Sequence, residues 1–345
     1  MHTSYSDGYG NHREIAQAAI KAGVDAVIVT DHNVLVNGVQ NFYEEKERRV
    51  LLMVGEEIHD QTRDPQKNHL LVFGIKRELS TLAPDIQGMI DVVRRENGLS
   101  FIAHPKDPAA PAVNEEDLSW VDWQVNGYTG IELWNAMSEF KSLLKTKLHA
   151  FFYAYNPEKI ARGPFKETIK KWEELLSNGQ RIVVVGGTDA HALPARLGPL
   201  KKTIFPYEFH FRTINNHLLL NNPLTGDLET DQRSIIDTLR RGCSFIGYDL
   251  PASTKGFRFN AKGIDHTATM GDEISAKRGI TFQIYLPQKT ECNLIKDGKV
   301  IKTWMKRKSC TYITPDPGNY RVEAYINYQG HRRAWIFSNP IYVSP

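Results

Sequence analysis

The sequence predicts an α/β fold with a mostly parallel sheet or barrel, followed by a small all-β domain. Three observations predict it. Six short apolar runs rich in valine, isoleucine and leucine recur within the first 190 residues, separated by helical or turn segments. Several of these runs end in Asp, Glu or His, at the place where an α/β barrel carries its functional groups. From about residue 255 onward helical periodicity vanishes, and short alternating strands with turn signals between them take over.

The chain opens on a polar turn, MHTSYSDGYG. NHREIAQAAIKAG then reads as an amphipathic helix over about 11–22, with Ile15, Ala18, Ala19 and Ala22 at helical spacing and Gly23 as its left-handed stop. DAVIVTDHN is a strand of the type buried on both faces, ending abruptly in polar residues. VLLMVGEEI and HLLVFGI are the second and third strands, and a helix around DIQGMIDVVRREN leads to the fourth, LSFIAHP. GIELWN is the fifth; the helix FKETIKKWEELLSNG leads to the sixth, RIVVVGGTDAH. LKKTIFPYEFHFRTINNHLLL reads as a closing strand or loop, and DQRSIIDTLRRG as a last helix stopped by Gly242. GITFQIYLP, CNLIKDGKVI, SCTYITPDPGNYRVEAYINYQG and RAWIFSNPIYV are strands of a β-sandwich, with turns at Asp297-Gly298 and Pro315 to Gly318. Two domains follow, 1–250 and 251–345.

Composition excludes several function classes. A net charge of +3, from 43 basic and 40 acidic residues, is too balanced for a nucleic-acid or membrane surface. No run of about 18 apolar residues is present to span a bilayer. Cys243, Cys292 and Cys310 are widely spaced, away from any zinc-finger rhythm, and read as free thiols.

Chemistry gathers at the strand ends. His2 and Asp7 lie in the opening turn, His32 after the first strand, Glu57 after the second, His69 before the third, His104 after the fourth, and Asp189 with His191 after the sixth. Singly, each is as readily a packed, capping or solvated side chain. Together they are imidazoles and carboxylates, the ligands that suit zinc, manganese and iron, in a number too large for one tetrahedral ion. Two or three divalent ions are therefore expected.

HTSYSDG, TDHN, GEEI, NHLLVFG, AHP and GTDAH, in this order, resemble the signature segments of the PHP (polymerase and histidinol phosphatase) family of metal-dependent phosphoesterases. GIELWN and SNPIYV are similar to segments of its CehA/McbA-like branch. The resemblance implies a distorted seven-stranded (β/α) barrel with a trinuclear centre. His2, Glu57 and Asp189 would hold one ion, His69 and His104 with a bridging Glu57 a second, and Asp7, His32 and His191 the third. The family's first motif is His-x-His on the first barrel strand; here Met1 stands in its middle position, so that strand and its histidine are expected to be missing, through a late start or a lost front.

The implied activity is a phosphoesterase using a metal-bridging hydroxide on a small-molecule phosphate ester. His191 is the expected acid, with His210 and His217 as uncommitted alternatives in which a structural role is the plainer reading. Lys106 and Arg196 follow ligand segments and read either as cations that neutralise phosphate or as solvated surface cations. His12 and His59 are read as surface or supporting residues. Carboxyl- or carbamate-ester hydrolysis on the same ions is the alternative chemistry, and a dead barrel with a β-sandwich binding module the alternative class. The cytoplasm is the default compartment, with a secreted or periplasmic location if an N-terminal segment is missing. Nothing in the sequence bears on oligomeric state.

Overall fold

The computed structural model describes residues 1–197 and 200–345, and the side chains of residues 195–202 fall outside the described part. Helix α1 (His12–Ala22) starts from Asn11, whose side chain accepts the Glu14 N–H at 3.0 Å while the Glu14 carboxylate accepts the Asn11 N–H at 2.8 Å. Such a reciprocal cap contributes about 1 kcal/mol. The helix stops at Gly23, whose φ of 79° is open to glycine. Its buried face, Ile15, Ala16, Ala19 and Ile20, joins Val27, Val29, Val50 and Leu52 in one apolar cluster.

The chain continues through β1 (Ala26–His32), β2 (Asn41–Glu45), β3 (Arg48–Ile58), β4 (Leu70–Phe73), α2 (Ile86–Arg95), β5 (Leu99–Ile102) and β6 (Gly130–Asn135). Two helices absent from the sequence reading follow, α3 (Ala136–Leu143) and α4 (Lys147–Tyr155). Next come α5 (Lys166–Ser177), β7 (Val183–Gly187), the antiparallel pair β8 (Leu193–Leu197) and β9 (Leu200–Ile204), α6 (Tyr207–Phe211), β10 (Ile214–Leu218), α7 (Leu228–Arg241) and β11 (Ser244–Tyr248). The expected closing strand or loop thus divides into β9, α6 and β10. The remaining strands are β12 (Arg258–Lys262), β13 (Thr267–Thr269), β14 (Glu273–Ser275), β15 (Ile280–Lys296), β16 (Lys299–Thr314), β17 (Gly318–Tyr328), β18 (His331–Ser338) and β19 (Ile341–Ser344). No helix among the described residues is long and apolar enough to cross a membrane.

Two compact units share these elements: Met1–Ala161 with Gly187–Thr213 and Leu224–Ile236, and Arg162–Gly186 with Ile214–Pro223 and Asp237–Pro345. In the first unit the sheet is curled into a half barrel, its strands in the order β1-β3-β4-β5-β6. β1 and β3 are parallel, with His32 opposite Glu57, and β5 and β6 are parallel. β4 runs antiparallel to both neighbours, a departure from the parallel expectation. The reversal matters for function: it places the amino end of β4, which His69 precedes, beside the carboxyl ends of β3 and β5.

In the second unit β15 runs unbroken where the sequence suggests two strands. It pairs with β12 through Thr281–Lys262 to Tyr285–Arg258, with β17 from Glu291 to Lys296, and with β16 along both stretches. Its register shifts between Tyr285 and Cys292, around Pro287, which has no N–H to give to a ladder. The Asp297-Gly298 turn has φ values of 47° and 76°, the left-handed pair that a two-residue hairpin needs. Phe259, Phe282, Leu294, Tyr320, Val322 and Trp335 are fully buried in its apolar cluster.

Candidate metal centre

The opening turn is tied down at both edges. Thr30 N–H donates to the Met1 carbonyl at 2.8 Å and His2 N–H to the Ala190 carbonyl at 3.0 Å. Asp31 accepts from Thr3 N–H at 2.6 Å, from Thr3 Oγ1 at 2.7 Å and from Ser6 Oγ at 2.8 Å. Asp31 therefore anchors the turn, while its neighbour His32 faces the site. A Cβ on Gly8 would lie 2.2 Å from the His2 carbonyl oxygen, so that contact requires glycine. The Tyr207 hydroxyl donates to the same oxygen at 2.7 Å.

Several residues here hold backbone angles that L-residues seldom adopt: φ is 28° at His104, 51° at Asp189 and 52° at Asn33. Strain of this kind persists where surrounding bonds over-determine it. At His104 the bond is from its N–H to Glu132 Oε2, 2.8 Å, and Glu132 is itself held by Asn135 Nδ2 at 2.9 Å. A Cβ on Gly187 would stand 1.9 Å from Glu132 Oε1, so the end of β7 is glycine because Glu132 fills the space.

The eight expected ligands come together. Glu57 is central: Oε1 lies 2.8 Å from His69 Nδ1 and 3.1 Å from His104 Nε2, while Oε2 lies 3.4 Å from His2 Nε2. His2 Nε2 is also 2.9 Å from Asp189 Oδ1. Asp7 Oδ2 is 3.2 Å from His191 Nε2 and 3.6 Å from His32 Nε2, and Asp7 Oδ1 is 3.7 Å from His2 Nδ1. His2, Glu57 and Asp189 form one group able to hold an ion, Glu57, His69 and His104 another, and His2, Asp7, His32 and His191 a third. A further group, His32, His59 and His69, includes a residue outside the expected ligand set. His59 is buried, stacked on His69 with ring centroids 4.3 Å apart. Its spacing of two from Glu57 at a strand end was the signal available in the sequence.

The electrostatics match a cation site. Burial opposes ionisation of Glu57 and Asp189, yet imidazoles hold both well below the usual carboxylate range. Burial also works against protonation of His2 and His104, but the carboxylates prevail and raise them to about 9 and about 10. Burial dominates at His32 and His59, pushed down to about 3 and about 4. His2 Nδ1, His32 Nδ1, His69 Nε2 and His104 Nδ1 are buried without a hydrogen-bond partner. Nitrogen and carboxylate oxygen donors in this arrangement fit divalent zinc, manganese or iron.

These ligands form the floor of a cavity of about 650 Å³. Its walls come from the 107–118 segment, α3, α4 and the β8–β9 pair, and they are largely apolar. Apart from the imidazoles of the floor, the one basic side chain among the described lining residues is Lys141, whose Nζ is 2.6 Å from Asp107 Oδ2 and 3.1 Å from the Glu116 carbonyl. Lys106 is half-buried and does not line the cavity. Arg196 lies in β8, and its side chain is outside the described residues. His210 is buried away from the cavity, and burial pushes it down to about 3. His217 belongs to the second unit, 2.9 Å from Asp249 and 2.8 Å from Thr254. His12 is buried at the start of α1, its ring edge-on to Tyr5 at 5.7 Å.

The PHP domain model matches residues 1–94. That stretch contains His2, Asp7, His32, Glu57 and His69; His104, Asp189 and His191 lie beyond it. An uncharacterized protein of Methanocaldococcus jannaschii is 26% identical over 150 residues, 39% of this chain and 79% of the relative. Residues 1–94 are thus similar to a PHP domain, and the chain carries histidine and carboxylate groups that could hold metal.

Proposed function

We propose that this chain is a metal-dependent hydrolase of ester bonds, with a phosphate ester as its substrate, in a PHP barrel of seven strands of the CehA/McbA-like branch. In this reading the barrel occupies 1–250 and a β-sandwich domain 251–345. The observation that carries it is the split of Glu57: one oxygen faces His69 and His104 and the other faces His2, the disposition of a carboxylate shared between neighbouring ions. His2, Glu57 and Asp189 would hold one ion, Glu57, His69 and His104 a second, and Asp7, His32 and His191 a third. Divalent ions bound there supply the acidity that activates water at neutral pH and polarises the ester.

The chain's own part is orientation. His191 Nδ1–H donates to the Asp189 carbonyl at 2.8 Å, and its Nε2 lies 3.2 Å from Asp7 Oδ2. In this reading Nε2 is the ligand atom. Glu132 fixes the His104 backbone, and Tyr207 fixes the turn that carries His2.

One observation favours a second reading, carboxyl- or carbamate-ester hydrolysis: the wall's cation, Lys141, is already paired with Asp107. Metal analysis of the purified protein, with bis-p-nitrophenyl phosphate, p-nitrophenyl phosphate and p-nitrophenyl acetate assayed side by side, separates the readings. Bound zinc, manganese or iron and chelator-sensitive phosphoester turnover are expected. Acetate turnover alone would transfer the assignment to the second reading, and a metal-free, inert protein would leave a binding role.

A further inference from the structure

The cavity is far larger than the reaction needs. At about 30 Å³ per water, its 650 Å³ correspond to roughly twenty waters, and an ester head against the ligands leaves most of it to be filled. What surrounds that space is Phe140 of α3 and Leu144 just past its end, Phe151 and Tyr155 of α4, and Leu193 and Ile204. The acidic residues in the wall, Asp107 and Glu115, stand beside Lys141, at 2.6 and 3.9 Å, and no second cation lines the cavity among the described residues. A charged group entering this part would lose hydration, and among the described residues the wall offers it no unpaired Lys or Arg.

The apolar character continues out through the mouth. Phe151 is 51% exposed and Tyr155 46%, their rings 4.7 Å apart, and both also line the cavity. On the same nine-residue helix Leu148, 80% exposed, and Phe152, 43%, stand outside the cavity lining. Single exposed apolar residues are ordinary; two with paired rings that also line an apolar cavity mark a mouth that meets something apolar.

We infer that the substrate is an amphiphile: an ester whose head meets the ligand cluster and whose uncharged apolar arm, aromatic or alkyl, lies against Phe140, Leu144, Phe151 and Tyr155. The inference rests on the hydrolase reading above and narrows it. The reaction then releases an apolar alcohol or acid into a pocket that retains it, and α4 lies along the path by which it leaves.

The test uses p-nitrophenyl phosphodiesters that share one leaving group and differ in the other arm: methyl, hexyl or phenyl. kcat/KM is expected to rise at least tenfold from methyl to the better of the larger arms, and the hexyl-to-phenyl ratio tells alkyl from aromatic. Ala154→Trp, which fills the cavity from α4, should cut that preference at least fivefold. A second readout needs no turnover: the uncharged fluorophore N-phenyl-1-naphthylamine should bind saturably with or without chelator, more weakly in Ala154→Trp, and unchanged in Leu148→Ser/Phe152→Ser. A flat arm series, or a probe that ignores Ala154→Trp and follows the outer-face variant, overturns the inference. Saturable, Ala154-dependent probe binding with no ester turned over would support the apolar site while rejecting the hydrolase.

Discussion

The floor and the wall of one cavity are built on opposite principles. The floor gathers Asp7, Glu57, Asp189 and a group of imidazoles, held in strained backbone by bonds such as that from His104 N–H to Glu132. The wall is made of two short helices, the 107–118 segment and the β8–β9 pair, and it is largely apolar apart from the buried Lys141–Asp107 pair and Glu115. The floor can change little, because every group touches two or three others. The wall has the freedom to change shape while leaving the floor intact. In the proposed reading chemistry belongs to the floor and selectivity to the wall, which bears on how each fails.

The largest effect is expected at the floor. Glu57→Gln removes a charge that faces three imidazoles, and metal content by mass spectrometry should fall by more than the roughly 10–100-fold in affinity lost with a supporting residue. Retention of the full complement of ions would show that Glu57 is not shared. Next comes the wall's polar tie. Lys141→Met leaves Asp107 buried and unpaired, at a cost of about 3–5 kcal/mol by chemical denaturation, and adding Asp107→Leu should recover most of it. If the double variant were no more stable than the single one, the pair would be doing something besides neutralising itself. The smallest effect links the two regions from behind. Gly187→Ala pushes a methyl group onto Glu132 Oε1 and should cost about 1–3 kcal/mol, with loosened metal binding at His104 as the accompanying sign. A stable variant with unaltered metal binding would separate Glu132 from the positioning of His104.

The two regions also differ in how readily the sequence discloses them. His32, Glu57, His104 and Asp189 stand at or just past apolar runs, so a rule about strand ends finds them. His69 fits less directly, because β4 is reversed and its functional end is the first rather than the last residue. His59 reads as a surface or supporting residue because a histidine two residues beyond a glutamate is ordinary on any surface. The wall leaves still less trace: in KLHAFFYAY apolar residues occupy both sides of α4, so no single stripe marks it as a helix, and α3 is only two turns long. The long β15 reads as two strands because Pro287 interrupts its alternation, although the chain crosses that point without turning back.

By itself the sequence determined the candidate ligand types, their order along the chain, the first helix with its caps, and the strands whose ends carry those candidates. Each of these follows from neighbours a few residues apart, through hydrogen bonding, burial period and turn geometry. Only the tertiary structure decided that Glu57 turns one oxygen to each side, that Lys141 is spent on Asp107, and that α3 and α4 enclose an apolar cavity. Those facts depend on which distant surfaces share a volume, and the cost of leaving a charge or an apolar face unmatched is settled by packing in three dimensions rather than by local spacing.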